Sequence, residues 1–232
     1  MGDDGRDKNK FVNRWRLKLI KSKLPCTTNP NVNELLGVLI GDGWLGISGR
    51  PRRRKQVCFC GNLRTEIEYR KYLQKLITNT LRVNGYYKER EKYNTYYKII
   101  NSETIFDFFR VKFDFPVGTK SFFNVKKFPK NWKLQRYLIR GIFDTDGSTL
   151  FDKDPRYKVP YPILDVTMKN KEVLDWAAVV LSTRGFKIIR SGRQLKLKGA
   201  DNFHKWFKDI APANSLHKLK YSRWCSEYNK GL

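Results

Sequence analysis

The sequence predicts an α+β fold built twice, on three observations. The segments LLGVLIGDG (35–43) and IRGIFDTDG (139–147) both read as apolar helices that stop at Asp-Gly. After each comes the same order: two strand-like runs, an amphipathic helix, two more strand-like runs and a short aromatic helix. With 232 residues, 40% of them hydrophobic, the chain is long enough to bury a core beneath both copies. The expectation is two αββαββα units related by a pseudo-two-fold axis, each with an antiparallel sheet.

Taken in order, residues 1–30 read as a basic arm, with RWRLKLIKSKL (14–24) patterned as a short amphipathic helix. The first unit is placed at 31–125 and the second at 126–232. Pro30 and the Asn-rich NVN open the first helix, with Asn31 or Asn33 as N-cap and Gly43 as a left-handed C-terminal residue. WLGIS and KQVCFCG are strands joined by the basic turn GRPRRR, and RTEIEYRKYLQKLITNTLRV has a helical period through Ile67, Tyr72, Leu73, Leu76 and Ile77. GYYKERE and NTYYKIIN form a second strand pair before the helix SETIFDFFRVKF.

In the second half, Asn131 is the candidate cap of the helix PKNWKLQRYLIRGIFDTDG. STLF and YPILDVTM are strands, with Pro155, Pro160 and Pro162 confined to the intervening loop or an edge. KEVLDWAAVVLSTRGF is helical, FKIIRSG and RQLKLKG form a hairpin about Ser191-Gly192, and ADNFHKWFKDI parallels the earlier aromatic helix.

Lys and Arg total 48 against 22 Asp and Glu, a formal charge of +26. Such excess opposes compaction, so a polyanion is the natural partner. Basic residues run the whole length rather than gathering in one amphipathic helix, which favours nucleic acid over a membrane surface. No stretch approaches the roughly 20 apolar residues of a membrane span. The opening MGDDGRDKNK lacks the apolar core of a secretion signal, so an intracellular setting, cytoplasm or organelle, is expected. Cys26, Cys58, Cys60 and Cys225 are scattered without a CxxC pair and only His204 and His217 accompany them, which excludes a zinc finger. The cysteines are expected to be small core fillers.

Asp42 and Asp146 pose the central question. A helix C-terminus already carries partial negative charge, so an acid there is misplaced for stability. Gly37 and Gly41, and Gly141 and Thr145 in the second copy, place small residues on one helix face. Two such faces can pair closely. That pairing buries Leu36, Leu39 and Ile40 against Ile139, Ile142 and Phe143 and brings Asp42 and Asp146 together. Two converging carboxylates become favourable around a divalent cation such as Mg²⁺, the usual companion of phosphodiester cleavage. Asp144 points to the opposite side of its helix and is assigned a structural role.

The two motifs and the units behind them, over residues 31 to 232, resemble the single-chain, two-motif LAGLIDADG homing endonucleases. The resemblance implies motif helices at the unit interface and sheets forming a saddle along the DNA major groove. It implies a monomer that cuts both strands of a long, imperfectly palindromic DNA target across the minor groove, leaving 3′ overhangs. It makes Asp42 and Asp146 the catalytic metal ligands, with the main-chain carbonyls of Gly41 and Thr145 in the same sphere. Mg²⁺ is the implied cofactor, with Mn²⁺ or Ca²⁺ able to take its place. Lysines after the last helix of each unit are implied as catalytic, which points to Lys120 and Lys218, with Lys220 as a rival. The family's polar residue at the second strand's end is replaced: FCGN offers Asn62, and VTMK offers Met168 followed by Lys169.

For a groove-facing sheet the candidates are Arg50, Arg52, Arg53, Arg54, Lys55, Tyr87, Lys88, Arg90, Lys92 and Lys98. The second half offers Lys153, Arg156, Lys158, Lys169, Arg190, Arg193, Lys196 and Lys198. Arginines suit guanine edges; lysines suit phosphates and salt-sensitive affinity. The alternatives are a maturase of the same fold acting on intron RNA, and a DNA-binding regulator without catalysis.

Overall fold

The computed structural model describes residues 24–49, 53–120, 122–153 and 159–231. The arm up to residue 23, the turn residues Arg50, Pro51 and Arg52, and Pro155, Arg156 and Lys158 lie outside it. Each motif segment is one helix, α1 (Pro30–Asp42) and α4 (Trp132–Asp146), running straight into a strand, β1 (Gly43–Ser48) and β5 (Gly147–Asp152). The first unit continues with β2 (Arg54–Asn62), α2 (Ile67–Leu81), β3 (Tyr86–Arg90), β4 (Thr95–Asn101) and α3 (Glu103–Phe113). The second continues with β6 (Tyr161–Thr167), α5 (Lys171–Ser182), β7 (Ile188–Ser191), β8 (Gln194–Lys198), α6 (Ala200–Asp209) and α7 (Ser215–Gly231). The two antiparallel sheets have matching orders, β1-β2-β4-β3 and β5-β6-β8-β7. The twice-built α+β expectation therefore holds.

Several local expectations need correction. The N-cap of α1 is Asn29, whose Oδ1 accepts the Asn31 N–H at 2.9 Å. Pro30 has no N–H and a φ suited to the first helical position, so the cap falls one residue ahead of it. Asn33 instead turns back to the carbonyls of Thr27 and Asn29 at 2.8 and 2.9 Å. Gly43 is not left-handed: with φ −116° and ψ 176° it is already strand. A side chain there would stand 2.6 Å from the Leu39 Cα, so close packing, not conformational freedom, explains the glycine. The buried stripe of α2 is Tyr69, Leu73, Leu76, Ile77 and Leu81, while Ile67 is 52% exposed in its first turn. Pro162 lies in an inner strand, at the second position of β6 before its ladder with β8 begins at Ile163, where the missing N–H breaks no pairing.

Helix α7 is an element to which the sequence pattern assigns nothing. Among the described residues it has no counterpart in the first unit, where Val117 bridges Leu45 of the edge strand β1 and Gly118 donates to its carbonyl at 2.7 Å. In the second unit α7 does that covering. Lys220 donates to the Thr149 carbonyl of β5 at 2.9 Å, and Tyr221 stacks on Phe207 at 4.0 Å.

The core lies between the helix pair and the helix-facing sides of the sheets. Leu36, Leu39, Ile40, Ile139, Ile142 and Phe143 are all buried, each worth about 1.5–3 kcal/mol of apolar transfer. The small-residue faces meet as expected: a methyl on Gly37 would stand 2.9 Å from the Gly141 Cα. Halfway along, fully buried Glu34 of α1 accepts from Arg140 of α4 and from the Tyr72 hydroxyl at 2.6 Å. This buried ion pair ties the units together. Among the described residues no helix is long and apolar enough to cross a membrane.

Candidate active site and nucleic-acid face

Because α1 and α4 pair in the same direction, their carboxyl ends finish together, and Asp42 and Asp146 arrive with them. A methyl built on Gly41 would lie 3.5 Å from the Asp146 carboxyl carbon. Burial raises the pKa of Asp42, opposed by Lys120. Asp146 is pushed up to about 7, first by burial and then by the charge of Asp42, again opposed by Lys120. Each acid is thus uncomfortable as an anion, as sequence electrostatics require.

Lys120 supplies the partial remedy. The turn after α3 delivers its ammonium to the end of α1, where it donates to the carbonyls of Ile40 at 2.8 Å, Leu39 at 3.4 Å and Gly41. A cation there complements the helix dipole and lies in the field of both acids. Its own pKa is lowered by burial, against the pull of Asp146 and Asp42. The Gly41 carbonyl, expected in a metal sphere, is therefore engaged by Lys120. The Thr145 hydroxyl turns into its own helix, donating to Gly141 and Ile142 carbonyls at 3.0 and 3.1 Å.

Lys218 is not brought to the acids. It sits on the exposed side of α7, while its neighbour His217 faces inward to Thr149 Oγ1 at 3.0 Å. The helix turns Lys218 about 100° away from that inward face. Asp144 is structural, as expected: fully buried, it accepts the Ala213 N–H at 2.7 Å, and burial pushes its pKa up to about 7.

Three residues at the site escaped sequence reasoning. Cys60 is no core filler; its thiol donates to the Asp42 carbonyl, and burial and Asp42 push its pKa up to about 12. Glu66 accepts the Asn62 N–H at 2.8 Å and lies in the field of Asp42. Asn214 donates to the Asp144 carbonyl at 2.9 Å. The alternation of Cys58 and Cys60 was the only signal for any of them. Asn62 itself caps a turn, accepting from Arg64 and Thr65 N–H groups, and Met168 is buried in the core. Cys26, exposed near the start of the described chain, is not a core filler either.

Strand register sorts the basic candidates. Arg54, Lys88 and Arg90 share the sheet side turned away from the helices, as do Lys196 and Lys198. Arg53, Lys92, Lys153, Lys169 and Arg193 are exposed in turns and connections. Four expectations are corrected. Lys98, 3% exposed, points to the helix side and donates to the Gly85 carbonyl at 2.7 Å, with Tyr87 beside it. Lys55 bridges to Asp107 of α3 at 2.9 Å, and Arg190 to Asp175 of α5 at 2.8 Å. These four fall on the alternate strand positions, which the pleat aims at the helices.

Among the described residues no group of three His, Cys, Asp or Glu side chains could cage a metal. The donor set is two hard carboxylates, which suits Mg²⁺, an ion that keeps waters and takes substrate phosphate oxygens as its other ligands.

No protein-family model matches the chain, and no curated protein matches it in sequence. Solved structures do. The homing endonuclease I-DmoI, in a set of mesophilic variants, is 20% identical with a TM-score of 0.53, over 78% of this chain and 95% of that one. I-DmoI in complex with DNA and Ca has the same identity and score, over 78% and 88%. I-SmaMI bound to an uncleaved DNA target with calcium ions is 14% identical with a TM-score of 0.56, over 86% and 90%. The likeness is one of architecture: this chain has the fold of those homing endonucleases.

Proposed function

We propose that the protein is a divalent-metal-dependent endonuclease that cuts both strands of a long, imperfectly palindromic DNA site and leaves 3′ overhangs. The observation that carries the reading is the convergence of Asp42 and Asp146 at one end of a buried helix pair, with the Lys120 ammonium in the field of both. Structural neighbours that bind target DNA, solved with Mn, Ca or Mg, support it. So does the formal charge of +26.

In this reading Asp42 and Asp146 hold Mg²⁺, with Mn²⁺ or Ca²⁺ as substitutes. Held there, a divalent cation would supply an activated water and offset charge on the scissile phosphate. Lys120, seated on the end of α1, offsets the mutual repulsion of the two carboxylates and presents a proton-bearing cation to the phosphate. Arg54, Lys88, Arg90, Lys196 and Lys198 hold the duplex from the two open sheet faces.

The test is a library of plasmids with random inserts, incubated with Mg²⁺ and sequenced at the ends produced. Asp42→Asn and Asp146→Asn are expected to abolish double-strand cuts while leaving DNA binding in place. Cuts that survive either substitution would refute the assignment. RNA binding without any cut would favour the maturase reading.

A further inference from the structure

We infer that Asn214 and Glu66 form a positioning pair that spans the two units and fixes the spacing between Asp42 and Asp146; the inference rests on the nuclease reading above. Asn214 is 2% exposed, and both its side-chain polar atoms are engaged. Its Oδ1 accepts the Leu216 N–H at 3.0 Å and so caps α7. Its Nδ2 donates to the Asp144 carbonyl at 2.9 Å and reaches Glu66 Oε1 at 3.4 Å. The preceding residue, Ala213, donates its N–H to Asp144 Oδ2 at 2.7 Å. The entrance to α7 therefore grips the last turn of α4 just ahead of Asp146.

From that grip one hydrogen bond crosses into the first unit. Glu66 is anchored there by the Asn62 N–H at 2.8 Å, at the end of β2, and lies in the electrostatic field of Asp42 and Cys60. The first unit secures its own motif helix with Lys120 on the carbonyls of α1, so the two helix ends are held by different chemistry: an ammonium on one, a neutral amide on the other. The amide is the half that also couples the units.

The experiment separates this role from helix capping. Asn214→Ser keeps an N-cap oxygen but removes the amide donor. Glu66→Ala removes both acceptor oxygens, whereas Glu66→Gln keeps one of them, without the charge, for either Asn214 or the Asn62 N–H. Asn214→Ser and Glu66→Ala are each expected to lower kcat about 10- to 100-fold with DNA affinity unchanged, as loosened catalytic geometry does. The double variant is expected to fall no further than the worse single one. Glu66→Gln, with one acceptor oxygen left, is expected to recover part of what Glu66→Ala loses. Unaltered kcat in Asn214→Ser, or additive losses, would overturn the pair. Glu66→Gln as inactive as Glu66→Ala would make Glu66 a reacting group instead and overturn its positioning role. If the unsubstituted protein cuts no DNA with any divalent metal, the nuclease reading fails alone. The pair is then judged by urea unfolding: non-additive shifts in midpoint for the two substitutions sustain it, and additive shifts overturn it.

Discussion

Gly141→Ala tests the helix pairing on which the whole site depends. In an exposed helix this substitution stabilises by up to about 1 kcal/mol, because alanine is the better helix former. Here the added methyl would stand 2.8 Å from the Val38 nitrogen and 3.0 Å from the Gly37 carbonyl carbon, both backbone atoms that no rotamer change can move. The nearest backbone atom of all is the Glu34 carbonyl oxygen, and normal contact for such a carbon is about 3.5–4.0 Å, so α1 and α4 have to part by roughly 1 Å or more. Overpacking of this kind costs about 1–3 kcal/mol, and the parting also loosens the contacts of Leu36, Leu39, Ile139 and Ile142. The net expectation, after the gain in helix propensity, is destabilisation by about 2 kcal/mol. Urea unfolding followed by circular dichroism reads it as a lower midpoint with an unchanged m-value. Because both acids ride on the same pair, DNA cleavage should fall on the order of 100-fold as well. A midpoint equal to or above that of the unsubstituted protein would refute the reasoning, since the two accounts differ in sign.

Three further outcomes are expected. Arg140→Met strands fully buried Glu34 without its counter-charge and should destabilise by about 3–5 kcal/mol, much of it recovered by adding Glu34→Met; urea midpoints of the three variants decide it. Burial and nearby Lys220 hold His217 neutral with a pKa of about 4, below the ordinary 6.5, so the unfolded chain binds the extra proton; this stability is present above about pH 6.5 and lost as pH falls toward 4. Up to about 3 kcal/mol is at stake, and the drop in urea midpoint between pH 7 and pH 4.5 should shrink in His217→Gln; an equal drop would contradict it. Asp146 is raised from the ordinary 3.8 to about 7, so the folded chain holds a proton that the unfolded chain has already released; its contribution is full below about pH 4 and is lost as pH rises to 7 and above. Asp146→Asn should therefore raise the Tm of the metal-free protein at pH 8 and abolish the further rise that Mg²⁺ gives the unsubstituted chain; an undiminished Mg²⁺ effect in the variant would contradict it.

Much of the architecture was legible because it repeats local signals. Asp-Gly after an apolar run, at residues 42–43 and again at 146–147, marked both helix ends, and the strand pairs were bounded by their turn residues. The cap at Asn131 was read correctly, whereas the one at Asn29 was displaced by a proline whose missing N–H decides where a helix can begin. Helix α7 was missed although His217, Tyr221, Trp224 and Tyr228 recur at helical spacing. A long basic stretch masked that apolar face.

What the sequence determined by itself is the pairing logic: small residues at 37, 41, 141 and 145, apolar neighbours, and two acids whose helix-end position is electrostatically unfavourable. Periodicity and charge are local properties, so they can be read in one dimension. Only the tertiary structure decided which cation answers those acids, choosing Lys120 over Lys218, and which of many basic side chains turn to the helices rather than the open sheet faces. It alone brought Cys60, Glu66 and Asn214 from separate elements to one place. Such contacts depend on register and on the direction a helix faces, and a shift of one residue in either would undo them.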